Sequence, residues 1–391
     1  MRTITLADVA EPQGLVGGPF GSNLVGADYV AHGVPVIRGT NMGRVWVGGD
    51  FVFVTEKKTD RDLARNLAIP GDLVFTQRGT LGQVAEVPRG NFPRYVISQS
   101  QMRLRVDRRV AHPTFVRLAC ESPTFLKQVD DNAISTGVPH INLGILGRLT
   151  IPQLALGEQQ SIVEVLGALD DKIAANEKLV VNSETLARAE WRVACDQGVW
   201  RPLSSMARFV NGKAFTKGAS GAGRVVVRIA ELNSGLGNST VYSDIEVAND
   251  NTARAGDLLF AWSGSPTAAR WFRDEAIINQ HIFKCIPLQG LSVAVVNQAL
   301  HSALDTFRGI AADKATTMGH IQRKHLDLPV PVPPDDRLAA VAPRLDALWD
   351  AALATEQESE TLIRTRDGLL PLLMSGRLRV KDVGRAIEGV L

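Results

Sequence analysis

Two kinds of hydrophobic pattern alternate along the chain. Short apolar runs bounded by glycine, proline or asparagine turns fill two long stretches and predict β-strands. Examples are VPVI at residues 34–37 and GDLVF at residues 71–75. After each stretch, apolar residues recur at alternating spacings of four and three, the pattern of a long helix with one apolar seam. The chain is therefore predicted to mix β-rich domains with long helices.

The first helical pattern runs from about residue 157 to 195, and the second from about 335 to 375. About 39 helical residues span roughly 58 Å, which exceeds what a small domain needs. Because a seam without a partner leaves its leucines in water, we expect the two helices to pack together, antiparallel. The alternative is that each helix packs only on its own domain. The predicted seam comprises Ile162, Leu166, Leu169, Ile173, Leu345, Leu348 and Leu362.

The chain also repeats itself at a slowly drifting offset of about 185 residues. GDLVF at 71–75 matches GDLLF at 256–260, and ISQSQMRL at 97–104 matches INQHIFKC at 278–285. Weaker matches pair VPVIRGTN at 34–41 with VVVRIAELN at 225–233, and His140 with His320. Because these matches keep their order, we interpret the chain as two diverged copies of one unit.

Proline-marked stretches at 149–160 and 328–337 indicate where each copy passes into its long helix. They divide the chain into two β-rich domains, each followed by a helix. The predicted order is a domain at 1–155, a helix at 156–195, a domain at 196–333, and a helix with a C-terminal tail at 334–391.

Composition limits the class of protein. The chain is 45% hydrophobic and 21% charged, as in globular proteins. No apolar run approaches the roughly 20 residues of a membrane span, and the start lacks the apolar stretch of a signal peptide. Cys120, Cys195 and Cys285 are too far apart to suggest a disulfide framework or a zinc site. We expect a cytoplasmic protein.

The net charge of +2 is unevenly distributed. Residues 156–195 contain seven acidic and four basic residues, and residues 334–391 contain ten acidic and eight basic residues. Both helical segments are therefore acidic, and the excess positive charge falls on the two β-rich domains. A positive domain surface is compatible with nucleic acid.

No catalytic motif is apparent. The sequence lacks GxxxxGK[ST], a GxGxxG after a strand, HExxH and GxSxG, and its seven histidines have no metal-ligand spacing. The Pro-Pro at 333–334 is followed by aspartate, so the motif of amino-methyltransferases is missing. The acid pairs Asp130–Asp131 and Asp170–Asp171 are interpreted as solvated faces or helix caps. The absence of these motifs favours a role in recognition over one in catalysis.

The loops that follow the predicted strands carry hydrogen-bonding side chains. GDLVF leads directly into Gln77, Arg78 and Thr80, and Arg38 and Asn41 follow VPVI. Arginine and glutamine can bond base edges bidentately, whereas threonine and backbone N–H groups hold phosphates. The alternative is that these residues only satisfy their own turns. Two similar lobes at a fixed separation would read two DNA half-sites with a gap between them.

These residues resemble the specificity subunit of type I restriction–modification systems, over essentially the whole chain. The resemblance is carried by GGPFGSNL (17–24), VPVIRGTN (34–41), GDLVFTQRGTLG (71–82), SQSQMRL (98–104) and STGVPHINLGILGRLTIPQLALGEQQSIVEVLGALDDKI (135–173). The second copy differs more from the family pattern than the first does. It has LPVPVPPDDRLAAV where the family commonly has an acidic residue followed by glutamine.

The resemblance implies two mixed α/β target recognition domains separated by two long antiparallel helices, in a pseudo-twofold repeat. Each domain would read one half of a bipartite DNA target. The helices would bind two methyltransferase subunits, which carry S-adenosylmethionine and methylate adenine N6, and restriction subunits driven by ATP could join them. This chain would be non-catalytic, with no cofactor or metal of its own.

From this resemblance, we hypothesise that loop residues of both copies contact DNA. They are Arg38, Asn41, Gln77, Arg78, Thr80, Thr136 and His140 in the first copy, and Lys213, Arg228, Ser263, Thr317 and His320 in the second. His140 and His320 could instead be structural caps. Two other functions stay open: a two-lobed adaptor that binds only protein, and a nuclease or methyltransferase with a diverged active site.

Overall fold

The computed structural model describes residues 2–90, 92–135, 137–288, 290–312 and 321–384. The chain folds as two compact units. The first unit comprises Met1–Lys172 and Leu362–Leu391, and the second comprises Ile173–Thr361. In the described part of the chain, every helix is too short or too polar to span a bilayer.

The first unit contains three sheets. Its strands are β1 (Thr3–Thr5), β2 (Ala10–Gly17), β3 (Tyr29–Val30), β4 (Val34–Ile37), β5 (Val52–Val54), β6 (Leu67–Ala68), β7 (Leu73–Thr76), β8 (Val84–Glu86), β9 (Tyr95–Ile97), β10 (Gln101–Val106) and β11 (Thr150–Pro152). The strand orders are β2-β10-β7-β8, β3-β5-β4-β9-β6 and β1-β11. Its helices are α1 (Glu56–Asp62), α2 (Pro113–Cys120), α3 (Pro123–Asn132), α4 (Leu143–Arg148) and the first part of α5 (Leu156–Ala194).

The second unit repeats this arrangement. Its strands are β12 (Val199–Pro202), β13 (Ala207–Asn211), β14 (Arg224–Val227), β15 (Val241–Ser243), β16 (Thr252–Ala253), β17 (Leu258–Ala261), β18 (Thr267–Arg270), β19 (Ala276–Ile278), β20 (Ile282–Pro287) and β21 (Pro329–Val332). They are ordered β13-β20-β17-β18, β15-β14-β19-β16 and β12-β21. Its helices are the rest of α5, α6 (Ile229–Ser234), α7 (Val293–Ala312) and most of α8 (Asp335–Met374), which ends in the first unit.

The strand orders of the two units correspond one to one, except that β3 has no counterpart among the described strands of the second unit. In both, one sheet is antiparallel, and the other contains a single parallel pair, β4 with β9 or β14 with β19. The predicted internal repeat and mixed α/β fold class are therefore confirmed. The repeat extends to the sheet edges, where β1 pairs with β11 and β12 with β21.

A buried cation joins the two larger sheets of each unit. On β10, Arg103 donates to the carbonyl oxygen of Leu67 in β6 at 2.8 Å. At the corresponding place on β20, Lys284 donates to the carbonyl oxygen of Thr252, also at 2.8 Å, and to Asp257 at 2.6 Å. Burial lowers the pKa of Arg103. Both side chains thus tie a central strand of one sheet to an edge strand of the other.

The two long helices begin and end within a residue or two of the predicted bounds. In the second unit they run antiparallel, because Asn176 bonds Glu358 at 2.7 Å and Arg344 pairs with Glu190 at 2.8 Å. The predicted seam residues Ile162, Leu166, Ile173 and Leu345 are buried, and Leu169, Leu348 and Leu362 are half-buried. Each unit's core includes residues of both helices, so the helices contact each other and the domains as well.

A buried ion-pair network anchors both helices in the first unit. Asp170 of α5 accepts from Arg117 of α2 at 2.7 Å and from Arg366 of α8 at 3.1 Å, and Glu121 pairs with both arginines. Burial raises the pKa of Asp170 and lowers that of Arg366. The interpretation of Asp170 as a solvated residue was wrong, because its partners on α2 and α8 are distant in sequence. Removing one partner leaves buried charge uncompensated.

We predict that Asp170→Ala lowers the free energy of unfolding by about 3–5 kcal/mol, because Arg117 and Arg366 lose a buried counterion. Asp171, its exposed neighbour on the same helix, provides the matched control. Asp171→Ala should change stability by about 0.5 kcal/mol or less. Urea denaturation of both variants measures the difference. Equal effects of the two substitutions would mean that the network adds no net stability.

Candidate nucleic-acid interface

Three loops of the first unit are joined by backbone hydrogen bonds at the end of β7. The amide of Gln77 donates to the carbonyl of Ser100 at 2.7 Å, and the amide of Ile141 donates to the carbonyl of Gln77 at 3.0 Å. Arg78 and His140 form an antiparallel bridge next to them. The turn after GDLVF, the SQSQ turn and the loop before α4 therefore lie side by side.

A fourth loop joins this group through β4. The amide of Ser98 donates to the carbonyl of Ile37 at 2.9 Å, which places the turn after β4 beside the SQSQ turn. We call residues 38–41, 77–82, 98–101, 135 and 137–140 the first loop edge. The candidates predicted from the sequence come from three of these four loops, which the structure brings together.

The second unit builds the same arrangement from different side chains. The amide of Trp262 donates to the carbonyl of His281, and the amide of Ile321 donates to the carbonyl of Trp262, both at 3.0 Å. The amide of Asn279 donates to the carbonyl of Val227 at 3.1 Å. We call residues 212–217, 228–231, 262–266 and 279–281 the second loop edge. Trp262 occupies the position of Gln77, and His281 that of Ser100.

One glycine in each unit allows the chain to pass close to these turns. A Cβ on Gly18 would lie 2.0 Å from the carbonyl oxygen of Ser98, and one on Gly212 would lie 2.1 Å from that of Asn279. Both glycines also donate their amides, Gly18 to Gln101 at 2.8 Å and Gly212 to Ile282 at 2.9 Å. The GGPFGSNL motif thus contains a position that no side chain can occupy without moving the SQSQ turn.

The first loop edge is positively charged. It contains Arg38 and Arg78 and no aspartate or glutamate. Arg78 is exposed and Arg38 is half-buried, and neither forms an ion pair with another described residue. Thr80 is exposed, and Gln77 is half-buried. Unpaired guanidinium groups beside neutral donors and acceptors can bind phosphate or base edges.

Asn41 is buried and holds the first of these turns together. Its side-chain oxygen accepts from the amide of Arg38 at 3.0 Å, and its nitrogen donates to the carbonyls of Gly48 at 3.0 Å and Asp50 at 2.9 Å. Because the amide is occupied by backbone groups, Asn41 positions Arg38 and is not itself presented at the edge.

Glu231 takes the place of Asn41 in the second unit and changes the electrostatics. Its carboxylate accepts from the amide of Arg228 at 2.9 Å and from the Arg228 guanidinium at 2.6 and 3.0 Å. Burial alone would raise the pKa of Glu231, but the bonds from Arg228 outweigh burial and lower it. The same bonds raise the pKa of Arg228. The charge of Arg228 is therefore neutralised locally.

The remaining candidates differ in accessibility. Lys213 is exposed, Ser263 is buried, and His140 is half-buried with its ring Nδ1 3.2 Å from the carbonyl oxygen of Val138. Thr136, Thr317 and His320 lie outside the described residues. No group of three or more His, Cys, Asp or Glu side chains in the described parts of the chain could hold a metal ion.

Two residues of the second loop edge were missed by the sequence prediction. Trp262 donates its indole N–H to Asn211 at 2.8 Å, and its ring centroid lies 4.9 Å from that of His281. Both side chains are half-buried. The alignment of GDLVFTQ with GDLLFAW placed Trp262 opposite Gln77, a signal that was available from the repeat alone.

Residues 16–182, which include the first loop edge, match the family model described as type I restriction modification DNA specificity domain. These residues are therefore similar to the type I DNA specificity domain. The resemblance noted in the sequence is therefore confirmed. A search of curated proteins finds no match to the chain.

One solved structure shares the fold of this chain. The S subunit of a type I restriction–modification system from M. genitalium has 15% identity and a TM-score of 0.55, covering 95% of this chain and 96% of its own. The HsdS subunit from Thermoanaerobacter tengcongensis has 17% identity and a TM-score of 0.37, covering 96% and 97%. At this identity, the comparison with the M. genitalium subunit shows a shared fold and no more.

We predict that Gly18→Ala destabilises the specificity domain by about 1–3 kcal/mol, because the new Cβ displaces the SQSQ turn. Gly21→Ala is the matched control from the same motif, since a Cβ there meets nothing within 4 Å. Thermal unfolding should separate the two variants by several degrees. An unchanged melting temperature for Gly18→Ala would argue against the close approach.

Proposed function

We propose that this chain is the sequence-specific DNA-recognition subunit of a type I restriction–modification complex, and that it reads a two-part target with one loop edge for each part. The match of residues 16–182 to the DNA specificity domain carries the proposal. The repeated hydrogen-bond arrangement extends it to the second unit, for which Trp262, Asn279 and Ile321 reproduce the backbone bonds of the first.

The charge distribution of the loop edges supports DNA as the ligand. The first edge contains two arginines and no acidic residue, and the one acidic residue of the second edge, Glu231, is bonded to Arg228. Lys213 and Lys217 leave the second edge positive as well. Lysine and arginine neutralise phosphates and thereby position a protein on the duplex, while base-edge contacts supply specificity.

Catalysis, in this proposal, belongs to partner subunits. Methyltransferase subunits carrying S-adenosylmethionine would methylate adenine N6, and restriction subunits would use ATP. The chain itself would work in the cytoplasm without a cofactor or a catalytic residue. Its contribution is to choose the DNA sequence at which its partners act.

The long helices offer a surface for the methyltransferase subunits. On α5, Leu179, Leu186 and Val193 recur every seven residues, so they fall on one face of the helix. They are 51%, 51% and 74% exposed, respectively. A row of exposed apolar residues on a helix is suited to packing against helices of another protein.

We predict that the complex of this chain with its methyltransferase subunits binds its target at least about tenfold more weakly when Arg38 and Arg78 are both changed to Ala, since each good contact contributes about 1–3 kcal/mol. Electrophoretic mobility shifts on target and scrambled duplexes measure the effect. Arg109→Ala is the control. Arg109 is exposed and follows β10 at the end opposite Gln101, away from the loop edge.

The double variant should also co-purify with the methyltransferase subunits as the unaltered chain does, because the helices are untouched. Equal affinity for target and scrambled DNA in the unaltered complex would contradict the proposal and favour a protein-binding adaptor. Methylation or cleavage by this chain alone would contradict its non-catalytic role.

A further inference from the structure

The two loop edges share a backbone arrangement but differ in chemistry at one turn. After β7, the chain continues with Gln77 and Arg78, and after β17 it continues with Trp262 and Ser263. Gln77 and Trp262 make equivalent backbone hydrogen bonds on both sides, so the two turns occupy equivalent places in their units. A difference in side chains there changes what each edge can recognise.

The turn of the first unit presents an exposed guanidinium on a fixed backbone. The bridge to His140 and the bonds of Gln77 hold the backbone, while the Arg78 side chain makes no ion pair with the described residues. Arginine has a planar fork of donors that matches the O6 and N7 acceptors of guanine in the major groove. Arg78 therefore has the chemistry of a guanine reader.

The turn of the second unit presents an aromatic ring instead. The Trp262 ring packs against His281 and lies 5.9 Å from the Phe283 centroid, and its only N–H is bonded to Asn211. Ser263, which replaces Arg78, is buried. With its indole N–H bonded to Asn211, the half-buried Trp262 ring can contact a base pair only through apolar atoms, which suits the methyl group of thymine.

The neighbouring turn reinforces this difference. Arg38 on the first edge is capped by the neutral Asn41, whereas Arg228 on the second edge is bound by the carboxylate of Glu231. The first edge thus has two unpaired guanidinium groups, and the second has none among its described residues. Among the described loop-edge residues, an unpaired arginine that could recognise guanine is therefore present on the first edge only.

We propose that the turns after β7 and β17 select different bases in the two halves of the target. Arg78 specifies a guanine in the half read by the first unit, and Trp262 specifies a thymine in the half read by the second. This inference rests on the proposed function and adds which base each turn selects.

Mapping methylated adenines in a methylation-free host that expresses the chain with its methyltransferase subunit tests the inference. Arg78→Ser copies the second unit, and Trp262→Gln copies the first. Arg78→Ser should reduce the preference for one guanine in one half by about tenfold or more, and Trp262→Gln should do so for one thymine in the other half. Arg109→Ser, the control, should leave the motif unchanged.

If the unaltered chain directs no two-part motif, the proposed function fails. If a two-part motif appears but Arg78→Ser keeps every guanine, or both variants alter the same half, the inference is overturned and the proposed function stands. If Arg78→Ser abolishes methylation altogether, Arg78→Lys is tested in its place, because lysine keeps the positive charge but lacks the planar fork of donors. Arg78→Lys should retain DNA binding and a weakened preference for the same guanine, since lysine can donate to O6 and N7 without the fork, and a preference for a different base would also overturn the inference.

Discussion

A buried cation between two sheets sets the geometry on which each unit depends. Arg103 and Lys284 lie on the central strands β10 and β20 and bond to backbone carbonyls of the neighbouring sheet. Burying a cation without partners is costly, so each side chain stabilises the fold only where both sheets are in place. Because the loop turns are anchored on strands of both sheets, this constraint also fixes the loop edges.

The loop edges are built mainly from backbone hydrogen bonds, and this separates their shape from their chemistry. The bonds made by Gln77 and Trp262 use amide and carbonyl groups that every residue except proline possesses. Side chains at these turns can therefore change without loss of the arrangement. Asn41 and Glu231 demonstrate the same point, since an amide and a carboxylate cap equivalent turns but leave different charges beside them.

Periodic and repeated features could be predicted from the sequence, whereas contacts between distant elements could not. The four-three seam identified both long helices, including the buried Ile162 and Leu345, because helix geometry is local. The burial of Asp170 was missed, since it depends on arginines of α2 and α8. Asn41 was predicted to contact DNA for a similar reason. The sequence does not show whether the side chain of an asparagine in a turn faces outward or caps the backbone.

Under the proposed function, placing two recognition units in one chain has a consequence that a symmetric dimer lacks. In a homodimer, one substitution alters both reading surfaces together, so the two half-sites stay related by symmetry. Here Arg78 and Ser263 are separate positions, as are Gln77 and Trp262, and each can change alone. The shared backbone arrangement keeps both units in one fold while their exposed side chains diverge. If both units read DNA as proposed, a duplicated chain of this kind is free to recognise two unrelated half-sites.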